Sequence, residues 1–173
     1  MRKKIKLSKL DAAKRQLETA IRLYFDYGDP VAIHTLACAA HEILSDLNRK
    51  YTGKPMVISD FLVKDEYKKH FMKMIREPQN FFKHANKDPE STIDFNPDVS
   101  QFFIFDAISK YQEITEERVP YFIIFRGWFG AQHIDSFYFS PEKKEFILST
   151  INKYANDRSA YFSDMLEVSA YLK

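Results

Sequence analysis

Three kinds of residue are scarce in this sequence, and each shortage excludes a class of protein. The only cysteine is Cys38, so no intramolecular disulfide can form, which is typical of proteins kept in a reducing compartment. With 4 glycines and 7 prolines, the 173 residues hold fewer turn formers than a β-sandwich or barrel needs. No apolar run reaches the roughly 18 residues of a membrane span. We therefore expect a cytoplasmic protein with no membrane-spanning helix.

Charge and apolar content narrow the class further. The 26 Lys and Arg nearly balance the 24 Asp and Glu, which argues against a protein that coats nucleic acid over a large surface. Hydrophobic residues make up 45% of the chain, enough for a real core, and the length suits one domain. We expect a flexible basic N-terminus over residues 1–7 and a single helical domain over residues 8–173.

The spacing of the apolar residues predicts an all-α fold, an antiparallel bundle of about six to seven helices. In the first helix, Leu10, Ala13 and Leu17 recur at intervals of three and four. Ser8 is its predicted N-cap and Gly28 its predicted stop, while Asp29 and Pro30 open the second helix. Seven predicted helices cover about 9–27, 30–50, 63–76, 97–114, 119–134, 141–154 and 159–172, and a short helical segment covers 78–84.

The segment 119–134 has two interpretations, because its run of aromatic and β-branched residues also suits a buried strand. We favour a helix, since no partner strand is apparent elsewhere in the sequence. Its aromatic residues, with Arg126 and His133 between them, are able to stack unpaired bases, but core packing is the better interpretation. The aromatic residues in question are Phe122, Phe125, Trp128, Phe129, Phe137, Tyr138 and Phe139.

Residues 76–84 combine the groups of a phosphate site. Pro78 disfavours helical geometry at Glu77, so we expect a helix to end or kink there and a short one to restart at Pro78. A helix N-terminus attracts phosphate, and Asn80 and His84 share one face if the segment is helical. Histidine can act as a general acid or base near neutral pH. The plain alternative is that two phenylalanines anchor a core helix while His84 faces water.

With its antiparallel first helices and this Asn-x-x-x-His segment, the sequence resembles the HEPN superfamily over residues 9–111. That family's signature is an Arg, four to six residues and a His, often with a polar residue after the Arg. The resemblance implies metal-independent RNA cleavage, with motifs from two protomers meeting in a homodimer. It gives His84, Asn80 and Arg76 catalytic roles, and it gives Gln79 and Lys83 binding roles.

The match departs from the signature at one position. Gln79 stands where the family has its Arg, and the nearest arginine, Arg76, lies eight positions before His84. Glutamine cannot supply the fixed charge that a guanidinium brings to a phosphate. The sequence therefore predicts a domain that binds RNA or a partner protein, with at most weak RNase activity. A non-enzymatic helical interaction or dimerisation module is the alternative.

A second cluster, His34, Cys38 and His41, falls on one stripe of the second helix because its spacing is four and three. Imidazole and thiolate are transition-metal ligands, and Glu18 or Asp26 of the first helix are candidates to complete such a site. Buried cysteine and histidine at a core margin explain the same pattern without a metal. We favour that second interpretation and expect no cofactor.

Overall fold

Helices make up the regular structure of this protein. The computed structural model describes residues 4–52, 76–86, 88–137, 140–154 and 157–171, and within them no strand occurs, which confirms the all-α prediction. No helix in these ranges is long and apolar enough to cross a membrane. The helices are α1 (Lys9–Phe25), α2 (Pro30–Tyr51), α3 (Val99–Thr115), α4 (Pro120–Gln132), α5 (Pro141–Ile151) and α6 (Arg158–Tyr171), with 3₁₀ turns at Ile134–Ser136 and Asn152–Tyr154.

The predicted starts of α1 and α2 are confirmed at atomic detail. At α1, the Asp11 N–H donates to Ser8 Oγ at 3.0 Å and the Ser8 N–H donates to Asp11 Oδ2 at 2.9 Å, a reciprocal capping box. At α2, Asp29 accepts from the Ala32 N–H at 2.8 Å, and Pro30 occupies the first turn. These local bonds fix where both helices begin.

The end of α1 differs from the prediction by two residues. The helix stops at Phe25, and the left-handed residue that turns the chain is Tyr27, with φ 54°, rather than Gly28. The Gly28 N–H closes the motif by donating to the Leu23 carbonyl at 2.8 Å. Glycine is needed there for close approach, because a Cβ would lie 3.0 Å from Leu23 Cδ2.

The start of α3 was also misplaced by the sequence pattern. Asn96 accepts from the Asp98 N–H at 3.0 Å, so it caps a turn over residues 97–98, and the helix begins only at Val99. An Asx turn competes with the helix for the same donors, which explains the shift. The segment 119–134 was predicted better, since α4 is a helix rather than a strand.

The chain remains helical through Pro78, so the predicted end of a helix at Glu77 is wrong. Residues 76–81 are all helical, so Arg76 and Glu77 belong to the same helical segment as Asn80. The segment ends at Phe81, and the N–H groups of Lys83 and His84 both bond to the Asn80 carbonyl, at 3.2 and 3.1 Å. Of the predicted helix 63–76, only Arg76 lies within the described residues.

The core joins α1 to α4 and α6 through stacked and edge-on aromatic rings. Phe25 is fully buried at its centre, stacked on Phe162 with ring centroids 4.7 Å apart and edge-on to Phe125 and Trp128. The four aromatic residues of α4 named above are all buried, which confirms the core interpretation for them. Tyr138 and Phe139 lie outside the described residues.

Helices α2 and α3 run parallel and are joined by three polar contacts, which we call the polar ladder. His34 Nδ1 lies 3.0 Å from Ser100 Oγ, His41 Nε2 lies 2.7 Å from Asp106 Oδ2, and Asn48 Nδ2 donates to Glu113 Oε2 at 2.8 Å. The α2 members are seven residues apart, so they share one face. Residue numbers increase in the same direction along both helices from one contact to the next, so the two helices are parallel.

The two glycines of α4 give a matched test of packing. A Cβ at Gly130 meets nothing within 4 Å, so Gly130→Ala should stabilise the protein by about 0.5–1 kcal/mol through helix propensity alone. A Cβ at Gly127 would lie 2.9 Å from Tyr161 Oη, which donates to the Ile124 carbonyl at 3.3 Å. We expect the free energy of unfolding of Gly127→Ala to be about 1 kcal/mol lower than that of Gly130→Ala, because the Tyr161 hydrogen bond must shift. Urea unfolding of both variants measures the difference, and equal stabilities would contradict this account of α4–α6 packing.

Candidate functional site

A groove with a cavity volume of about 430 Å³ lies between α2 and the segment 76–84. We call it the α2 groove. One wall is formed by α2, the other by the segment after it, and Phe103 of α3 is also part of the lining. Its described lining residues are His41, Glu42, Ser45, Asp46, Arg49, Arg76, Gln79, Asn80, Lys83, His84 and Phe103.

The structure brings all five sequence-predicted site residues into this one groove. Arg76, Asn80 and His84 follow one another at intervals of four, and the continuous helix through Pro78 keeps the first two on one face. His84 lies just beyond the last helical residue, but its backbone bond to Asn80 holds it one turn further along. Arg76 therefore lies in the same groove as His84 in spite of their distance in the sequence.

The same three side chains also border a second groove. Arg76, Asn80 and His84 line a neighbouring cavity of about 830 Å³ together with residues from the irregular stretch that follows. Those residues are Asn86, Asp88, Ser91, Thr92 and Ile93, alongside Glu77 and Phe81. The three predicted catalytic residues thus stand where two grooves meet, accessible from both.

Carboxylates of α2 form ion pairs with two of the three cationic side chains in the α2 groove. Glu42 accepts from Gln79 Nε2 at 3.3 Å and pairs with Lys83 Nζ at 3.5 Å, while Asp46 lies 3.6 Å from Arg49. Within the described ranges, no carboxylate lies at ion-pair distance from the Arg76 guanidinium. Arg76 is therefore the cation best placed to receive an anion entering the groove.

Sequence reasoning missed the groove's most strongly held polar residue. It treated His41 as part of a stripe with His34 and Cys38, whereas His41 bonds to a carboxylate of α3. That carboxylate, Asp106, is fully buried and also pairs with Lys110 Nζ at 2.8 Å. The signal was present as the seven-residue spacing of His34, His41 and Asn48, which indicates one polar face on α2.

The charge state of Asp106 follows from its neighbours. Burial alone would raise the pKa of this carboxyl, but the hydrogen bond and charge of His41, together with Lys110, outweigh it and lower the pKa below its usual range. Asp106 is therefore a carboxylate, which can only accept. Since His41 Nε2 lies against it, that nitrogen carries a hydrogen, and in the neutral form of the ring Nδ1 holds the lone pair.

The other members of the histidine stripe are packed and neutral. Burial lowers the pKa of His34 to about 4 and raises the pKa of the Cys38 thiol to about 12. The two contact each other, with Cys38 Sγ 3.3 Å from His34 Nε2. In the part of the chain that the structure describes, no three His, Cys, Asp or Glu side chains are placed to hold a metal ion. The geometry favours the packing interpretation, and Glu18 and Asp26 do not complete a site.

The α2 groove therefore offers a guanidinium, an amide and two imidazoles on one lined surface, a set able to bind a phosphate and to move protons at it. Comparison of the chain with protein-family models, curated proteins and solved structures finds no match.

Buried His34 makes stability depend on pH. Its pKa is about 4 in the folded protein and about 6.5 when unfolded, so only the unfolded chain binds this proton between those values. The contribution of neutral His34 to the free energy of unfolding is complete above pH 6.5. It falls by about 3 kcal/mol as the pH falls from 6.5 to 4. Urea unfolding at pH 7 and pH 4 should show this loss, and His34→Gln should reduce it. An equal loss in the variant would contradict the assignment.

Proposed function

We propose that this protein binds single-stranded RNA in the α2 groove and has at most weak, metal-independent RNase activity, as a HEPN-like domain. The observation that carries the proposal is the presence of Arg76, Asn80 and His84 in one groove, although the first lies eight residues before the last. Arg76 would pair with a backbone phosphate, Asn80 would donate to it, and His84 would transfer a proton. The proposal includes a homodimer, as the family resemblance implies.

Charge favours a local phosphate site over a broad one. The groove holds Arg49, Arg76 and Lys83 against Glu42 and Asp46, an excess of one positive charge before either histidine is protonated. Two of its cations are already paired. A strand would therefore gain most from contact with Arg76, in agreement with the near-neutral charge of the whole chain.

Weak rather than strong catalysis follows from position 79. The side chain of Gln79 donates to Glu42, so the site where the family places its arginine faces a carboxylate here. A neutral amide in that place cannot stabilise the charge that develops on a cleaved phosphate. Arg76, one helical turn earlier, is the available substitute.

Loss of Arg76 should weaken RNA binding by about tenfold, because a charge-assisted phosphate contact is lost. The measurement is fluorescence anisotropy with a labelled single-stranded RNA across a salt series. For Arg76→Gln the slope of log K against log salt should become shallower by about 0.7, the value for one phosphate contact on a single strand. The matched control is Arg22→Gln, at an exposed arginine of α1 outside the groove.

Cleavage of the same RNA in a chelator tests the catalytic part. The wild-type protein should cut slowly, and His84→Ala should cut about 10²-fold more slowly or not at all, since a proton-transfer group is removed. Equal cutting by the two proteins would contradict the role of His84. Binding without any cutting would instead support a non-enzymatic RNA-binding module.

Restoring the family's arginine requires two changes. In Gln79→Arg the new guanidinium would be neutralised by Glu42, so we expect little gain in cleavage. The double variant Gln79→Arg with Glu42→Gln leaves that charge free, and its cleavage rate should exceed the wild-type rate by about tenfold or more. Glu42→Gln alone is the control, and a rate equal to that of the double variant would show that charge removal, not the arginine, is responsible.

A protein-binding module is the second candidate, and a specific feature of α5 favours it. Phe146 is the most exposed large apolar side chain among the described residues, at 70% of its surface. A domain that binds no RNA in the anisotropy experiment would leave the Phe146 side of α5 as the stronger candidate for contact with a partner protein.

A further inference from the structure

We infer that His41 is the second proton-transfer group of the α2 groove, working with His84 on the phosphodiester bond of a bound RNA strand. This inference rests on the proposed RNA-cleaving function and names a residue that the sequence motif does not contain. It is carried by three observations: where His41 lies, what holds it, and which atom it leaves available.

His41 lies in the groove wall opposite the motif segment. Its side chain is 12% exposed, and both His41 and His84 line the same cavity. The His41 ring makes an edge-on contact with the Phe103 ring, with centroids 5.2 Å apart and an interplanar angle of 90°. The imidazole is therefore confined by an aromatic ring while part of its surface remains open to the groove.

Asp106 holds this imidazole in one tautomer. The 2.7 Å bond from Nε2 to a buried carboxylate fixes the hydrogen on that nitrogen and stabilises the charged ring that forms when Nδ1 takes a proton. Lys110 Nζ lies 2.8 Å from the same oxygen, Asp106 Oδ2, and favours the ionised form of that carboxyl. A buried carboxylate, an oriented imidazole and a free lone pair form the arrangement of a general base.

The two histidines complete a balanced reaction on RNA. The ribose 2′-hydroxyl gives its proton to His41 Nδ1 as its oxygen forms a bond to phosphorus. The bond from phosphorus to the 5′-oxygen breaks, and that oxygen takes a proton from protonated His84. The products are a 2′,3′-cyclic phosphate and a 5′-hydroxyl end, and proton exchange with water restores both rings.

The chain supplies a matched control for His41. His34 lies seven residues earlier on the same face of α2, contacts α3 through the Ser100 hydroxyl rather than a carboxylate, and lies outside the lining of the groove. His41→Gln and His34→Gln therefore remove the same ring from the same ladder, and each glutamine amide can still donate or accept. Only the first change removes a proton-transfer group from the groove.

The experiment compares cleavage by these variants in a chelator. The substrate is an oligonucleotide with one ribonucleotide in an otherwise 2′-deoxy strand, placed at a linkage that the wild-type protein cuts. We expect His41→Gln to lower the cleavage rate by about 10²-fold with RNA affinity within about threefold of wild type, and His34→Gln to keep the rate within about threefold. Thermal melting tests whether the variants are folded. If His41→Gln is not folded, His41→Asn takes its place.

A sulfur substitution then separates the two roles. When sulfur replaces the 5′-oxygen of the cut linkage, the leaving thiolate needs no proton, so the loss of an acid is rescued and the loss of a base is not. We expect the substituted substrate to restore cleavage by His84→Ala and not by His41→Gln. Equal rescue of both variants would overturn the assignment of His41 as the base.

Other outcomes distinguish this inference from the proposed function. If His84→Ala loses cleavage while His41→Gln keeps it, the inference fails and the proposed function stands. If His34→Gln lowers the cleavage rate as much as His41→Gln does, the effect arises from disruption of the polar ladder, and the inference also fails. RNA that is bound but never cut by the wild-type protein overturns the inference and leaves RNA binding, whereas RNA that is not bound overturns both.

Discussion

The structure depends on one buried negative charge, the carboxylate of Asp106. An ionised group in a protein interior is costly unless opposite charges and hydrogen bonds replace the water it has lost. Here His41 and Lys110 supply them, at 2.7 and 2.8 Å, and the first comes from a different helix. Removing one partner of such a pair would leave a buried charge uncompensated, at a cost of roughly 3–5 kcal/mol. The carboxylate therefore ties α2 to α3 in a single register.

That register decides which part of α2 faces the groove. The polar ladder has three contacts at seven-residue intervals along α2, and they differ in kind: a hydroxyl with an imidazole, an imidazole with a carboxylate, and an amide with a carboxylate. A shift of α2 by one turn against α3 would mismatch all three. Of the three α2 residues of the ladder, only His41 lines the groove. The interaction that fixes the helices thus also orients a side chain at the candidate site.

Local features of the fold were predictable from the sequence, and tertiary ones were not. The caps at Ser8 and Asp29 involve residues three apart, so their geometry is fixed by spacing alone. The segment containing Asn80 and His84 was found for the same reason. The partner of His41 lies 65 residues away, and nothing in a helical pattern states which helix will face it. Sequence reasoning grouped His41 with Cys38 by angle, although the seven-residue polar spacing fits the contacts better.

The glutamine at position 79 is consistent with the charges around it. With Glu42 directly opposite, an arginine there would form an ion pair across the groove and offer little to a ligand. Arg76 lies one turn before Gln79, and a step of four residues drifts by only about 40° around a helix, so Arg76 and Asn80 share a face. His84 lies beyond the end of that helix, and the groove lining joins the cation, the amide and the imidazole. A search for the signature by fixed spacing would miss this arrangement, whereas the shared groove brings the three side chains to one surface.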